Sequence, residues 1–308
     1  NNLSKEFSDF KLDNVSFRLE KGMVMGLVGE NGAGKTTIIR LILNAIEKNG
    51  GNIKIFGMDN DAEEIACKER IGYVADEDYL IVTSNIKNYA KAFAHIYKNW
   101  DQPLFEKYAK MWNLPPKKKF SEYSKGMKTK AMLALTLAHH PELLILDEPT
   151  AGLDPIARIE VLDILREIVG DGEKSVLFST HITGDLDKIA DCVTVLNGGK
   201  ITETTEIDKI EEKYAVISGP LSVLSSANKE KCVGIRKGSQ NFEALIERKY
   251  LGSFEGVMNT KGELYDYLRR TSDKVFINAD NPHLYGPGHH SFVEAPNGKD
   301  MLIVYHAH

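Results

Sequence analysis

A chain of 308 residues with 42% hydrophobic content is long enough for one large domain plus an appendage, and it can bury a real core. A formal net charge of −5 argues against a nucleic-acid partner, which shows as a basic excess or stripe. No apolar run approaches the roughly 18 residues needed to cross a bilayer, and no secretory signal is evident. Cys67, Cys192 and Cys232 lie far apart without a CxxC pair, which reads as three cytosolic thiols with neither a zinc site nor a disulfide framework.

In chain order, the first strong element is the apolar run MVMGLVG (23–29), a buried strand, followed by a helical pattern near 35–47. From about 78 to 140 the pattern is almost entirely helical, with helices expected near 101–112 and 125–140. This stretch is rich in aromatics: Tyr79, Tyr89, Phe93, Tyr97, Trp100, Phe105, Tyr108 and Trp112. A helical lobe inserted into an α/β core accounts for it, its aromatics packing the lobe and core. Apolar runs resume at ELLILD (142–147), KSVLFS (174–179) and DCVTVL (191–196), with a helix near 156–169 between the first two. Strand–helix alternation of this kind predicts an α/β fold with a mainly parallel sheet. After Lys200 the elements shorten (KYAVISG, PLSVLSSA, KCVGIRK, NFEALIERKY), which predicts a small α/β appendage over 204–272. The final segment, 273–308, changes style again, with a turn-rich β pattern holding five of the nine histidines.

The stretch GLVGENGAGKTTIIRLIL (26–43) places Gly29, Glu30, Asn31, Gly32, Ala33, Gly34, Lys35, Thr36 and Thr37 between a strand and an apolar-periodic helix. Glycines let the backbone wrap closely so that successive N–H groups face phosphate oxygens, and the polyphosphate then sits at a helix N-terminus. Lys35 supplies a mobile charge for the β- and γ-phosphates, and the Thr36 hydroxyl is placed for Mg²⁺. A chance Gly-rich turn is the competing reading, and the strand–loop–helix context disfavours it. The site is that of a nucleoside triphosphate.

LLILDEP (143–149) is a buried strand ending in two acids. Asp147, at the carboxyl end of a parallel strand, faces the same crevice and can hold Mg²⁺; Glu148 stands where a carboxylate polarises the water attacking the γ-phosphate. His181 closes the run FSTH after another apolar strand. In this ordering a γ-phosphate sensor is a better reading than a structural histidine.

With Gly29–Thr36, YSKGM (123–127), LLILDEP, Ala151-Gly152-Leu153-Asp154 and His181 in this order, the chain resembles the ATP-binding subunit of an ABC transporter over about residues 3–203. The resemblance implies a P-loop NTPase core with an antiparallel β edge. It makes Gly29–Thr36 the Walker A motif, Asp147 and Glu148 the Walker B motif with its catalytic glutamate, Asp154 part of the D-loop and His181 the switch histidine. Phe7, in LSKEF, matches the aromatic that stacks on adenine. Ser124 and Gly126 belong to the signature motif, which closes over ATP held by a second subunit in a head-to-tail dimer. Ser124 can cap a helix whose N-terminus meets that γ-phosphate.

Three residues depart from the family pattern: Lys125 and Met127 in the signature, and Asp76 in IGYVADED (71–78), where the family has Gln. Asp76 is expected to bind Mg²⁺ and, as an added negative charge, to raise the proton affinity of Glu148. The resemblance further implies ATP and Mg²⁺ as cofactors and a separate membrane permease as partner. A second ATP-binding subunit completes a homo- or heterodimer at the cytoplasmic face of the cell membrane, and the single ATPase domain with its appendage is most similar to export-type members. A soluble ABC ATPase acting on DNA or ribosomes is the alternative, though neither a long coiled coil nor a second ATPase domain is present. Residues 284–308 resemble a strand pair from five-bladed propeller glycoside hydrolases, with His289 or His290 near that family's axial metal. No carboxylate pair accompanies them, so a foreign end without glycosidase activity is expected.

Overall fold

The structure, a computed structural model, describes residues 1–76, 83–254, 257–260, 290–294 and 301–305. The start of the predicted lobe at 78, Tyr79, and most of the 273–308 segment, His289 included, lie outside those residues.

Strands β1 (Leu3–Glu6) and β2 (Lys11–Val15) form an antiparallel pair ahead of β3 (Val24–Val28), which is buried along its whole length. Helix α1 (Lys35–Ile42) follows directly. It is shorter than its apolar pattern suggests, because Asn44 adopts a left-handed conformation (φ 52°) that ends the helix. A short antiparallel pair, β4 (Lys54–Ile55) and β5 (Met58–Asp59), and helix α2 (Glu64–Glu69) lead to β6 (Ile71–Val74). The predicted lobe is helical: α3 (Ile86–Ile96), α4 (Gln102–Met111) and α5 (Lys125–Leu137), capped by Asn85, Asp101 and Ser124 side chains that accept backbone N–H bonds. Its aromatics pack as expected. Tyr89 and Phe105 are buried, Phe93, Trp100, Tyr108 and Trp112 lie against the same core, and Tyr97 stacks on buried His139 at 3.9 Å. Burial drives the His139 imidazole pKa down to about 4, so it packs as a neutral ring.

The chain returns through β7 (Leu143–Leu146), α6 (Pro155–Val169), β8 (Ser175–Thr180), α7 (Leu186–Ile189), β9 (Cys192–Asn197) and β10 (Lys200–Glu206). The central sheet has the order β10-β9-β3-β8-β7-β6, parallel throughout except for β10 on β9. The mainly parallel sheet with an antiparallel edge is therefore present, and β10 extends it to Glu206, slightly past the boundary expected at 203. Parallel strands feel no chain-local register constraint; here register comes from burial on both faces, as the near-continuous apolar runs indicate.

Helix α8 (Ile207–Lys213) leads into an antiparallel sheet of order β12-β13-β11-β14, built from β11 (Tyr214–Pro220), β12 (Cys232–Lys237), β13 (Asn241–Glu247) and β14 (Met258–Thr260), with a one-turn helix α9 (Ser226–Lys229). It has its own core of Ala215, Ile217, Leu224, Phe242, Ala244, Ile246 and Phe254, while Val216 and Leu245 on its strands join the main core. In the last segment β15 (His290–Glu294) pairs antiparallel with β16 (Met301–Tyr305). All three cysteines are free thiols. Among the described residues no helix is long and apolar enough to cross a membrane.

The β9–β10 turn ties this frame to the loop after β3. Asn197 pairs with Lys200 across a two-residue loop, Gly198 and Gly199, both at positive φ (50° and 78°), as a tight right-twisted hairpin requires. The Gly199 N–H donates to the Ala33 carbonyl at 3.1 Å, and its own carbonyl accepts from the Asp13 N–H at 2.8 Å. A Cβ at Gly199 would fall 1.9 Å from the Lys11 carbonyl oxygen. Gly199→Ala is therefore expected to destabilise the fold by about 2 kcal/mol or more, through backbone strain plus displacement of β2, read as a lowered midpoint in urea unfolding.

Candidate functional site

The strand order sets the site. β3, β8, β7 and β6 are neighbours and parallel, so the residues following them emerge along one edge of the sheet: Gly29 after β3, His181 after β8, Asp147 and Glu148 after β7, and Asp76 beyond β6. An open α/β sheet presents its binding crevice at that edge.

The loop between β3 and α1 is shaped by its glycines. Gly34, at φ 110°, opens α1, and a Cβ there would lie 2.8 Å from Phe10; at Gly29 a Cβ would lie 2.5 Å from the Leu196 carbonyl oxygen. Glu30, Asn31 and Gly32 are exposed, Ala33 is buried, and Thr36 and Thr37 are half-buried on the first turn of α1. Lys35 is only 6% exposed, and its ammonium is fully engaged: Nζ donates to the Gly29 carbonyl at 2.8 Å and the Glu30 carbonyl at 3.2 Å, and stands 3.1 Å from Glu148 Oε1.

Glu148 is the hub. One carboxylate oxygen meets Lys35, and the other lies 2.8 Å from His181 Nδ1 and accepts the His181 backbone N–H at 3.4 Å. Its backbone is left-handed (φ 48°), uncommon for a side chain of this kind, and is held there by the Glu148 N–H donating to Ser179 Oγ at 2.9 Å. Burial pushes the Glu148 carboxyl upward, yet the His181 hydrogen bond and the Lys35 charge outweigh it, so its pKa lies below the ordinary carboxylate value. A lowered carboxyl favours the folded state above its unfolded pKa, and that contribution is lost as acid protonates it. Ser179, fully buried, also donates to Asp147 Oδ1 at 2.5 Å, and the Asp147 N–H donates to the Val74 carbonyl at 2.8 Å. One serine thus orients both acids. It stands in the quoted run FSTH, yet only the β7–β8 pairing reveals what it touches.

The other expected site residues are arranged as follows. Ser124 caps α5, accepting the Met127 N–H at 3.3 Å, and is exposed. Gly126 is buried where a Cβ would lie 2.8 Å from the Ala157 Cβ, so the first turn of α5 is seated on α6. Asp154 caps α6, accepting from the Ile156 and Ala157 N–H groups at 3.1 and 3.0 Å. Phe7 is 42% exposed in the β1–β2 turn, its ring 6.3 Å from Phe10, which reaches the phosphate loop at Gly34. Asp76 does not act on Glu148 as expected. Its carboxylate pairs with Lys125 at 3.2 Å, and it is absent from the groups acting on Glu148, whose proton affinity is lowered rather than raised. Two of the three residues that depart from the family pattern are thus bonded to each other.

A buried network also links the turn after Glu148 to the segment after His181. Fully buried Asp185 accepts from Thr150 Oγ1 at 2.5 Å and from Arg158 Nε at 2.7 Å. Among the described residues no cluster of three or more His, Cys, Asp or Glu side chains is disposed to hold a metal. Candidate oxygen donors are the Thr36 hydroxyl on the first turn of α1 and the Asp147 carboxylate just after β7. Mg²⁺ is commonly bound by one or two carboxylates with waters and substrate phosphates, so this sparse donor set fits it.

Residues 12–151 match the family model described as ABC transporter. The chain is 30% identical over 206 residues to the ABC transporter ATP-binding protein YtrB of Bacillus subtilis, covering 67% of this chain and 70% of that protein. It is 32% identical over 214 residues to the daunorubicin resistance ATP-binding protein DrrA3 of Streptomyces coeruleorubidus, covering 67% of each. Among solved structures, a dimeric ATP-binding cassette in a post-hydrolysis state bound to ADP and Pi shares the fold, with TM-score 0.59 and 20% identity over 67% of this chain and 97% of that one. The likeness of 284–308 to propeller hydrolases gains no support from these comparisons. The chain belongs to the ABC transporter ATP-binding family, whose members bind and hydrolyse ATP.

Proposed function

We propose that this chain hydrolyses MgATP in a head-to-tail dimer and so drives export through a separate membrane permease, docked at the cytoplasmic face of the membrane. The observation that carries the catalytic part is the bridge Lys35–Glu148–His181 at the carboxyl ends of β3, β7 and β8. In this reading Gly29–Thr37 wraps the phosphates, Lys35 pairs with the γ-phosphate, and Phe7 stacks on the base. A γ-phosphate competing for Lys35 would release one oxygen of Glu148 toward a water. Glu148, ionised by its setting, polarises that water for in-line attack at phosphorus, and the terminal P–O bond breaks to leave ADP and inorganic phosphate. His181, held by the same carboxylate, is placed to donate to the developing charge. Thr36 and Asp147 would hold Mg²⁺, which supplies charge neutralisation at the phosphates.

The dimer reading rests on Ser124 and Gly126. They open α5, whose N-terminus carries the partial positive charge that suits a phosphate, and Ser124 is exposed. The related cassette dimer with ADP and Pi supports this arrangement, and Asp154 would lie along the same contact. Export is supported by the resistance function in the DrrA3 name. The appendage over 204–272 is proposed as an accessory unit with a small core of its own, joined to the main core through Val216 and Leu245.

Glu148→Gln, which keeps the shape of a side chain bridging Lys35 and His181, is expected to lower phosphate release by about 100-fold or more while trapping an ATP-bound dimer visible by size-exclusion chromatography. Hydrolysis at the wild-type rate would remove Glu148 from its role. Ser179→Ala strips a buried partner from both Asp147 and the Glu148 N–H; it should cost about 1–3 kcal/mol in urea unfolding and lower kcat in the same protein. Specific activity of the wild type should fall on dilution as the dimer dissociates.

A further inference from the structure

Lys125 is the first residue of α5, where a positive charge opposes the helix dipole and no acidic side chain of that first turn offsets it. Its placement is explained by what it touches. Nζ lies 3.2 Å from Asp76 Oδ1, across 49 residues of chain. Its stem covers Gly152, at φ 66° in the turn before α6: a Cβ there would lie 3.3 Å from Nζ and 3.6 Å from Cδ of Lys125. The next residue, Gly126, is pressed against Ala157 of α6. One side chain therefore touches the segment after β6 and the turn before α6, at the point where α5 begins. Asp76 in turn stands two residues beyond Val74, whose carbonyl accepts the N–H of Asp147. A line of contacts runs from the acids after β7 to the turn that carries Ser124.

We propose that Asp76 and Lys125 form a positioning clasp that sets where the first turn of α5, with Ser124 and Gly126, stands relative to the ends of β6 and β7. The pair acts on the rate of turnover and not on the binding of nucleotide by the phosphate loop. This rests on the dimeric ATPase reading above, in which that turn completes the site of a second copy. Displacing a catalytic surface by a fraction of a bond length lowers rate more than affinity. Both side chains are roughly half exposed (42% and 46%), so the clasp is weak and screened by salt.

The test measures kcat and KM for ATP in the full chain, at protein concentrations that saturate the dimer, for Asp76→Asn, Lys125→Met, the double variant and Lys125→Arg. Each neutral single variant is expected to lower kcat about two- to five-fold, the scale of an exposed ion pair, with KM within about two-fold of wild type. The double variant should lose no more than either single one, and Lys125→Arg, which retains charge and reach, should recover most of the rate. Added KCl should lower the wild-type kcat more than that of the double variant. Additive losses, or no loss in either single variant, would overturn the clasp. So would Asp76→Asn shifting the Mg²⁺ dependence while Lys125→Met does not, since Asp76 would then be a metal ligand. A several-fold rise in KM confined to Lys125→Met would overturn it as well, by making Lys125 a phosphate contact. A wild-type chain without ATPase activity defeats the parent reading itself, a result separable from all of these.

Discussion

A buried ammonium group needs a counter-charge, and the site is organised around that requirement. Lys35 is held by α1 beneath the phosphate loop at 6% exposure, where an uncompensated charge would cost several kcal/mol. The loop carbonyls satisfy part of it, and Glu148 supplies the charge. Removing either partner from such a pair costs about 3–5 kcal/mol, so the start of α1 and the turn after β7 are bound to each other's placement. β8 lies between β3 and β7, and Ser179 on it and His181 just after it hold the acids that follow β7. The left-handed backbone at Glu148 is tolerated because three neighbours hold it there.

From this centre the structure extends by close approach rather than by further charge. Gly29, Gly34 and Gly199 permit backbone contacts that a Cβ would forbid, and they fasten the phosphate loop to β9 and to the hairpin that follows it. The long helix α5, buried on all sides from Ala131 to Leu137, joins the aromatic lobe to the sheet. Its N-terminal turn is the exception. There Gly126 packs tightly on Ala157 and the Lys125 stem covers Gly152, while the charges of Lys125 and Asp76 remain near solvent, where they can respond to salt and to a partner.

Strands β3, β7, β8 and β9 were legible because each is a short apolar run, and α4, α5 and α6 because each segment carries a helical pattern. The excess length predicted for α1 shows the limit of periodicity: the apolar pattern continues, but a left-handed Asn44 stops the helix. Lys35, Glu148 and His181 were recognisable from motif and order. Ser179, Phe10, Arg158 and Asp185 were not, since their roles depend on neighbours 24 to 35 residues away, met only across strands and loops. The pairing of Asp76 was hidden for the same reason, its partner lying 49 residues downstream.

The sequence by itself determined the class of fold, the phosphate loop, the two acids and the histidine, because each is written in local residue order and in the spacing that local backbone geometry demands. Only the tertiary structure decided how these are joined. The order β3-β8-β7-β6 brings four distant strand ends to one edge and sets Glu148 between Lys35 and His181, while the seating of α5 brings Lys125 to Asp76. Parallel strands connect through long crossovers, so which strand lies beside which depends on the packing of the whole core.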